Sequence, residues 1–361
     1  MFSRFTSQAQ RILLINFGTA KDIVRTLPLV NILRMRFPYA KITWLANPEI
    51  VDFLSNYNVV DRIILAKPQW HKSLCAVKAL GKRLRNFHPD LCIDLQNDHV
   101  SQFAAKLSGS PRCLTRNADR QRISVVSNDL DRKESRLQEY LQLLDAFDVA
   151  GASIDYGLPI IPSESHTVDW IVHELGLYST PFAIVAVGVQ SGTAYWQTHH
   201  YVQVAHHLGC VLDLPTVIAW QNEQEKQIAE DVVAESDGAV MLAPAISTTQ
   251  FAALARCAVL CVGADNNFLH IAAAMGRPTI GVFGNAESLW DAPICGNFQP
   301  VLAQIAEQHR DHHGKLVETV PVQIDNYTYD VIEVCNACDE VLRPNAETER
   351  PAKRHANTIS T

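Results

Sequence analysis

A polar cluster at the start of a short helix gives the strongest chemical signal in the sequence. Asp265, Asn266 and Asn267 follow an apolar run over residues 258–262, and His270 lies about one helical turn further on. A helix that begins at the carboxyl end of a strand presents backbone N–H groups and the positive end of its dipole. The cluster therefore predicts a site for an anion such as a diphosphate. An ordinary α/β unit without a ligand is the alternative interpretation.

The neighbouring residues predict how this cluster is held. Asp265 is a suitable N-cap, so we expect the helix to begin immediately after it. Gly276 and the following Arg277-Pro278 pair end the helix, and residues 279–283 form an apolar run that predicts a buried strand. The stretch is therefore predicted to be a strand, a tight turn, a helix and a second strand.

A second polar position lies near the amino terminus. Residues 11–17 predict a buried parallel strand, residues 18–22 a loop, and the apolar positions from Ile23 onward one face of a helix. Asp22 thus lies at a strand-to-helix junction, where open α/β sheets bind their ligands, although it is also a candidate helix cap. Pro28 falls inside the helical pattern and predicts a bend or a restart. The loop contains one glycine, which excludes a P-loop or a dinucleotide-binding fingerprint.

Strands and helices alternate along the rest of the chain, which predicts doubly wound parallel sheets. A length of 361 residues exceeds one typical core and indicates two domains. Residues 155–165 contain two prolines and two serines and are interpreted as the linker. The predicted boundaries are 1–158 for an N-terminal domain, 166–342 for a C-terminal domain and 343–361 for a polar, disordered tail.

The further predicted elements alternate in chain order. The strands are 41–46, 60–65, 91–95, 182–187, 216–220 and 240–242. The helices are 48–57, 73–87, 99–107, 133–147, 201–208, 223–234, 249–256 and 329–342.

The composition excludes several classes of protein. The sequence is 47% hydrophobic and 19% charged, as in soluble globular proteins. No apolar run reaches the roughly 18 residues that a membrane span needs, and residues 1–10 lack the apolar core of a secretion signal. The nine cysteines have scattered spacings and are interpreted as reduced thiols of a cytoplasmic protein.

The two halves of the chain carry opposite charge. Residues 1–150 contain 22 Lys and Arg against 14 Asp and Glu, a formal charge of +8, whereas the remainder contains 9 against 24, or −15. This asymmetry predicts an anionic partner for the first half, and we expect no nucleic acid. Arg112, Arg116, Arg120 and Arg122 crowd one loop of that half and are candidates to meet acceptor phosphates. Chance drift of surface charge and a solvated loop are the alternatives.

Two patterns together resemble those of the bacterial lipopolysaccharide heptosyltransferases. They are Gly18-x-x-x-Asp22-x-x-x-Thr26-Leu27-Pro28 and Asp265-x-x-x-x-His270-x-Ala272-Ala273-Ala274-x-Gly276-x-Pro278. Phe283-Gly284, Trp196 after a glycine-bearing loop, and Thr248 with Ala253-Leu254 also fit the layout of that family. The similarity covers roughly residues 10–342.

The resemblance implies a fold and a reaction. The fold is GT-B, an α/β architecture of two Rossmann-like doubly wound domains that face a central cleft. The reaction moves heptose, with inversion, from ADP-heptose to the anionic inner core of lipopolysaccharide or to a related surface glycan. The N-terminal domain binds the acceptor and the C-terminal domain the nucleotide sugar. Such an enzyme needs no cofactor and works at the cytoplasmic face of the inner membrane, where peripheral contact is expected.

The resemblance also implies roles for individual residues. Asp22 matches the aspartate that serves as the base, and a helix cap is its alternative role. The positions implied to contact the donor are Gln190, Ser191, Glu223 or Glu225, Ile246, Asp265, Asn266, Asn267 and His270. Core packing is the alternative for Ile246 and His270, and a solvated helix surface is the alternative for the glutamates.

No metal is expected. Asp129-Leu130-Asp131 has the acidic form that some glycosyltransferases use, but we interpret it as a surface loop. Cys335-x-x-Cys338 has no second pair to complete a zinc site, so both cysteines are interpreted as core residues.

The chain departs from the family at three positions near the proposed site. Lys21 replaces the glycine before the aspartate, Asn267 replaces the glycine of an Asp-Thr/Ser-Gly pattern, and Ala194 replaces a donor-binding lysine. Lys21 is the new cation beside the site and is a candidate to bind the donor phosphates in place of the missing lysine. A catalytically silent relative with a scaffold role, and a GT-B enzyme that uses another nucleotide sugar, are the alternative functions.

Overall fold

In the computed structural model, the chain forms two parallel β-sheets with helices between successive strands. The structure describes residues 9–115, 136–143, 154–158, 162–188, 196–238, 240–283, 291–296, 298–302, 309–310, 316–317, 323–324 and 327–343.

The N-terminal sheet has the strand order β3-β2-β1-β4-β5. Its strands are β1 (Arg11–Ile15), β2 (Lys41–Ala46), β3 (Arg62–Leu65), β4 (Leu91–Asp94) and β5 (Cys113–Thr115). Its helices are α1 (Ala20–Arg36), α2 (Val51–Ser55), α3 (Leu74–Phe87), α4 (His99–Ser108) and α5 (Arg136–Gln142). The order reverses between β1 and β4, so the crevice typical of ligand binding lies beyond the carboxyl ends of these two strands.

The C-terminal sheet has the strand order β11-β10-β9-β6-β7-β8. Its strands are β6 (Ala183–Ala186), β7 (Thr216–Ala219), β8 (Val240–Leu242), β9 (Leu260–Ala264), β10 (Thr279–Phe283) and β11 (Phe298–Leu302). Its helices are α6 (Pro162–Glu174), α7 (Thr198–His206), α8 (Glu223–Glu235), α9 (Thr248–Cys257), α10 (Asn267–Ala274) and α11 (Tyr329–Leu342). Here the order reverses between β6 and β9, which places the second crevice beside the start of α10.

Helix α1 contains Asp22, and the burial of its apolar face holds the helix in place. Ile23, Leu27, Val30 and Leu33 lie along that face, and all four are fully buried. The helix continues through Pro28, so the predicted restart at this residue is wrong. Packing of the buried face therefore outweighs the cost of the backbone hydrogen bond that proline cannot donate.

Several predicted boundaries needed correction. The segment interpreted as a linker already contains the start of α6 at Pro162, because proline is compatible with the first position of a helix. The predicted helix 48–57 is a 3₁₀ turn, Pro48–Ile50, followed by the short α2. The strands β5 and β11 were not predicted, and β11 contains Pro300, which edge strands tolerate.

The sequence predicted that the cysteines are reduced thiols and that no segment spans a membrane. All nine cysteines are free thiols, and Cys335 and Cys338 lie in the core on α11. Within the described ranges, no helix combines the length and the apolar character that crossing a bilayer requires.

Candidate functional site

Asp22 lies in the first turn of α1, just beyond the carboxyl end of β1. Thr19 is the N-cap, and both its backbone N–H and its hydroxyl donate to Oδ2 of Asp22 at 2.9 Å. A Cβ atom at Gly18 would stand 2.5 Å from the Cβ of Asp22, so glycine is needed for this turn to close. The Asp22 side chain nevertheless remains 30% exposed. The cap role and access to a substrate therefore coexist at this residue.

Asp265 lies across from Asp22, between β9 and α10. The prediction that Asp265 is the N-cap is wrong, because β9 extends to Ala264 and α10 begins at Asn267, one residue later than predicted. Asn266 is the cap instead: its Oδ1 accepts from the backbone N–H of Leu269 at 3.0 Å, and its amide donates to the carbonyl of Val187 at 2.9 Å. Asp265 is thereby released from capping and is 10% exposed.

His270 holds one oxygen of Asp265. Its Nε2 lies 2.8 Å from Oδ1 of Asp265, and the imidazole is 1% exposed. Burial, together with the nearby charges of Arg25 and Lys21, lowers the pKa of His270 to about 4, although the Asp265 bond opposes this. Burial raises the pKa of Asp265, but the bond from His270 and the charge of Lys21 outweigh it and leave that pKa at about 2. At neutral pH the pair is therefore a carboxylate that accepts from a neutral imidazole.

Lys21 crosses from the first junction to the second. Its Nζ lies 3.0 Å from Oδ2 of Asp265, and its backbone N–H donates to Oδ1 of Asn267 at 3.0 Å. The amide of Asn267 in turn donates to Oε1 of Gln221 at 3.1 Å. Two of the positions where the chain departs from the family pattern, 21 and 267, thus contact each other.

The glutamates after β7 have different surroundings. Glu223 is 86% exposed and lies 3.9 Å from Lys226, which is one turn further along α8. Glu225 is buried, and its Oε2 accepts from the backbone N–H of Gln221 at 2.8 Å. Glu225 therefore belongs to the network that reaches Asn267, whereas Glu223 does not. Ile246 is half-buried beside the start of α9 and packs against the core.

Sequence reasoning missed Gln221. This residue follows the carboxyl end of β7, so the rule that ligands bind at that edge of the sheet was the signal that pointed to it.

The remaining candidates contribute less to this arrangement. Arg112 is exposed and precedes β5, so it lies at the amino edge of the sheet, opposite to Asp22. The residues Gln190, Ser191, Ala194, Arg116, Arg120, Arg122 and the pair Asp129 and Asp131 lie outside the described residues.

The arrangement has the parts that a group transfer between two bound molecules requires. One domain offers a partly exposed carboxylate, and the other offers the start of a helix, whose first backbone N–H groups have no acceptor within the helix. Among the described residues, no cluster of three His, Cys, Asp or Glu side chains could hold a metal. The partly exposed carboxylate on one wall offers proton transfer, and the helix start on the other wall offers stabilisation of an anion.

Two facing doubly wound domains of this kind are the GT-B fold of glycosyltransferases, and solved structures share it. A glycosyltransferase of family 9 from Veillonella parvula superimposes with a TM-score of 0.76 at 16% identity, over 93% of this chain and 98% of that one. Escherichia coli heptosyltransferase WaaC, solved with ADP-2-deoxy-2-fluoro heptose, gives 0.62 at 18% identity over 80% and 92%.

The sequence profile of glycosyltransferase family 9 (heptosyltransferase) matches residues 77–320, and the chain belongs to this family. It is also 23% identical over 291 residues to lipopolysaccharide heptosyltransferase 1 of Pseudomonas aeruginosa, across 76% of this chain and 78% of that protein. The resemblance read from the two motifs is thereby confirmed. The family places the chain among the glycosyltransferases of lipopolysaccharide biosynthesis.

Proposed function

We propose that this chain transfers heptose from ADP-heptose to the inner core of lipopolysaccharide or to a related anionic surface glycan, with inversion at the anomeric carbon. The observation that carries the proposal is the Lys21–Asp265 contact of 3.0 Å, which sets Asp22 opposite the start of α10. The relative from Pseudomonas aeruginosa is named for lipopolysaccharide, and the WaaC structure contains an ADP-heptose analogue. Both support this donor and this acceptor class.

Asp22 is the proposed base. The acceptor hydroxyl gives its proton to the carboxylate while its oxygen bonds to the anomeric carbon, and the bond from that carbon to the diphosphate oxygen breaks on the opposite face. The departing diphosphate gains negative charge in this step. The backbone N–H groups of Asn267 and Phe268, at the first two positions of α10, are the proposed donors that stabilise this charge.

Lys21 is the proposed cation for the donor diphosphate. Its ammonium already stands beside Asp265, one residue before the cap of α10, although the chain has alanine where the family has its phosphate-binding lysine. A multiply charged diphosphate at the helix start would compete with the single carboxylate of Asp265 for this ammonium. Lys21 would then supply, from the N-terminal wall of the cleft, the positive charge that the family's lysine supplies at the position of Ala194.

The other donor contacts carry over from the resemblance as proposals. They are Gln190 and Ser191 for the phosphates, Glu223 or Glu225 for the ribose, Ile246 for the adenine, and Asp265, Asn266 and His270 around the helix start. The buried His270 acts in this proposal by orienting Asp265. A metal-independent reaction and a peripheral contact with the inner membrane complete the proposal.

The catalytically silent relative is kept as a second candidate for one reason. The Asn267 side chain stands where the family has glycine, and it is bonded to both Lys21 and Gln221 at the helix start. A side chain at this position reduces the room for a close approach of phosphate to the backbone.

Calorimetric titration with ADP-heptose, ADP and a UDP-sugar separates these candidates. Binding of the ADP ligands alone, with transfer of heptose to a heptose-deficient core and an inverted anomeric configuration by NMR, is the expected result. Preference for the UDP-sugar would indicate another donor. Absence of binding by all three ligands to the folded protein would overturn the enzyme proposal in favour of the scaffold.

A further inference from the structure

Arg25 connects the proposed base to the other half of the chain. It lies on α1 one turn after Asp22, and its side chain is 3% exposed. Its Nη1 lies 3.2 Å from Oδ1 of Asp22 and 3.3 Å from Oδ1 of Asp291. A single guanidinium nitrogen thus contacts one carboxylate from each domain.

The remaining nitrogens of Arg25 indicate that this residue lowers the stability of the fold. Nε and Nη2 are buried, and neither has a hydrogen-bond partner among the described residues. A buried cation with unpaired donors is destabilising, and an apolar side chain of similar volume is often equal or better for stability. Stability alone therefore does not account for an arginine at this position.

The contacts of Asp22 indicate what the arginine does. Oδ2 already accepts two hydrogen bonds from Thr19, whereas Oδ1 accepts one from Arg25. A carboxylate oxygen has room for a second donor, so Oδ1 is the oxygen that can still receive a hydroxyl proton. Arg25 sets the rotation of the carboxylate and therefore the direction in which Oδ1 points.

We propose that Arg25 is a positioning residue that presents Oδ1 of Asp22 to the acceptor hydroxyl when Asp291 is docked against it. The orientation of the base is thereby coupled to contact between the two domains. The inference rests on the proposed role of Asp22 as the base. In the reaction, the hydroxyl proton passes to Oδ1, the hydroxyl oxygen bonds to the anomeric carbon, the bond to the diphosphate breaks, and Arg25 keeps its protons.

A second arginine on the same helix provides a matched control. Arg34 also pairs with an aspartate, Asp61, at 2.6 Å, and it donates to the backbone carbonyls of Val59 and Ala40. All of these partners belong to the N-terminal domain. Arg34→Lys therefore disturbs an ion pair of α1 without touching the contact between the domains.

The test measures kcat, acceptor KM, donor Kd and melting temperature for Arg25→Lys, Asp291→Asn, their double variant and Arg34→Lys. We expect Arg25→Lys and Asp291→Asn each to lower kcat about tenfold or more, since small misplacements of a reacting group are costly, with donor Kd within about twofold. The double variant should be no slower than the worse single variant, because both act through one contact. Arg34→Lys should lower the melting temperature but not kcat.

Three outcomes would overturn the inference. One is a kcat within about twofold of wild type for Arg25→Lys or Asp291→Asn, and another is multiplicative loss in the double variant. The third is a fall in kcat that merely follows the melting temperature, as it would for a structural brace. Because Asp291 is partly exposed, Asp291→Asn decides the question even where Arg25→Lys does not fold. An active Asp22→Asn variant would instead remove the proposed base, and this inference with it.

Discussion

The two strand-to-helix junctions that face each other each carry an aspartate, but they use it in different ways. Asp22 is the third residue of α1 and takes part in the capping of that helix, whereas Asp265 precedes the cap of α10 and takes no part in capping. Asp22 is 30% exposed, and Asp265 is 10% exposed. The first carboxylate therefore remains accessible to a substrate, while the second is enclosed by protein.

The partners of the two carboxylates explain the difference. Asp265 has one oxygen bonded to His270 and the other to Lys21, so it fixes an imidazole and an ammonium around the helix start. Asp22 is held by Thr19 and Arg25 and keeps one oxygen that can accept a further proton. The comparison indicates that the role of a carboxylate at a sheet edge depends on how many of its hydrogen-bonding positions remain available once the helix is capped.

The largest effect is expected at Asp22. Asp22→Asn keeps an oxygen that can accept from Thr19, so the cap should persist, but the amide cannot take a proton. Transfer should fall by about 10²–10⁴-fold, which is the usual contribution of a positioned base. Initial rates with labelled donor, and donor affinity by calorimetry, check this prediction.

The matched control for Asp22→Asn is Asp98→Asn. Asp98 lies at the same sheet edge, after β4, and caps α4 by accepting from Val100 and Ser101. It receives the same chemical change without a role in transfer and should retain activity. Equal losses in both variants would mean that capping, and not base chemistry, explains the effect at Asp22.

The next largest effect is expected at Lys21, which pairs with Asp265 at the second junction. If Lys21 replaces the family lysine, Lys21→Gly should weaken donor binding by about 10- to 100-fold, since a hydrogen bond to a charged group contributes roughly 1.5–3 kcal/mol. Ala194→Lys should restore the lost affinity in the double variant. Calorimetry with ADP-heptose and transfer rates are measured for both single variants and for the double.

The decisive result is the double variant. Restored binding would support compensation between the two walls of the cleft. Unchanged donor affinity in Lys21→Gly would assign Lys21 to Asp265 alone. An inert wild type that gains no donor binding from Ala194→Lys would favour the silent relative.

The enclosed carboxylate also predicts a pH dependence of stability. Burial lowers the pKa of His270 from 6.5 to about 4, so between these values the unfolded chain binds a proton that the folded chain does not. Stability should therefore fall as the pH is lowered through this window, by about 2 kcal/mol at pH 5 from this residue. His270→Gln, whose amide can still donate to Asp265, should lose this part of the pH dependence.

Melting temperatures at pH 7.5 and pH 5 give the measurement, and His207→Gln gives the control. His207 pairs with Asp339 at 2.8 Å, as His270 does with Asp265, but its side chain is partly exposed. A loss of pH dependence in the His270 variant but not in the His207 variant would assign that dependence to the buried imidazole. An unaltered pH dependence in His270→Gln would show that His270 is not the group responsible.

Much of the fold follows from local pattern in the sequence. The bounds of β2, β8, β10 and α11 match the predicted ranges, because each is an apolar run or a periodic helix with clear ends. The missed start of α6 has a misleading composition. The two prolines of residues 155–165 suggested a linker where α6 begins, although a helix start accepts proline.

The candidate site was predicted in its parts but not in its contacts. Asp22, Asp265 and Asn267 were found from strand-to-helix patterns, which are local in sequence. The Lys21–Asp265 pair joins residues 244 positions apart, and no local pattern encodes such a contact. Arg25 was not among the candidates, since its place in the sequence does not show that the packing of two domains buries it beside Asp291.

The smallest effect is expected at the arginines of residues 1–150, and it should differ between Arg112 and the pair Arg116 and Arg120. The chain leaves β5 at Thr115, whose hydroxyl donates to Asn97 at 2.7 Å on the carboxyl edge of the sheet, whereas Arg112 lies at the opposite edge. Arg116 and Arg120 follow Thr115 in sequence, so they are the better candidates to meet an anionic acceptor.

Arg116→Ala and Arg120→Ala should each raise the acceptor KM by about two- to fivefold and weaken its dependence on salt, because exposed ion pairs contribute little and are screened. Arg112→Ala removes the same charge at the far edge and should change neither quantity. The measurement is acceptor KM at a series of salt concentrations for the three variants and wild type. If all three variants shift KM alike, the net charge of the half attracts the acceptor without a defined contact. If none does, these three arginines do not contribute to acceptor binding, and Asp22 must meet its acceptor without electrostatic help from them.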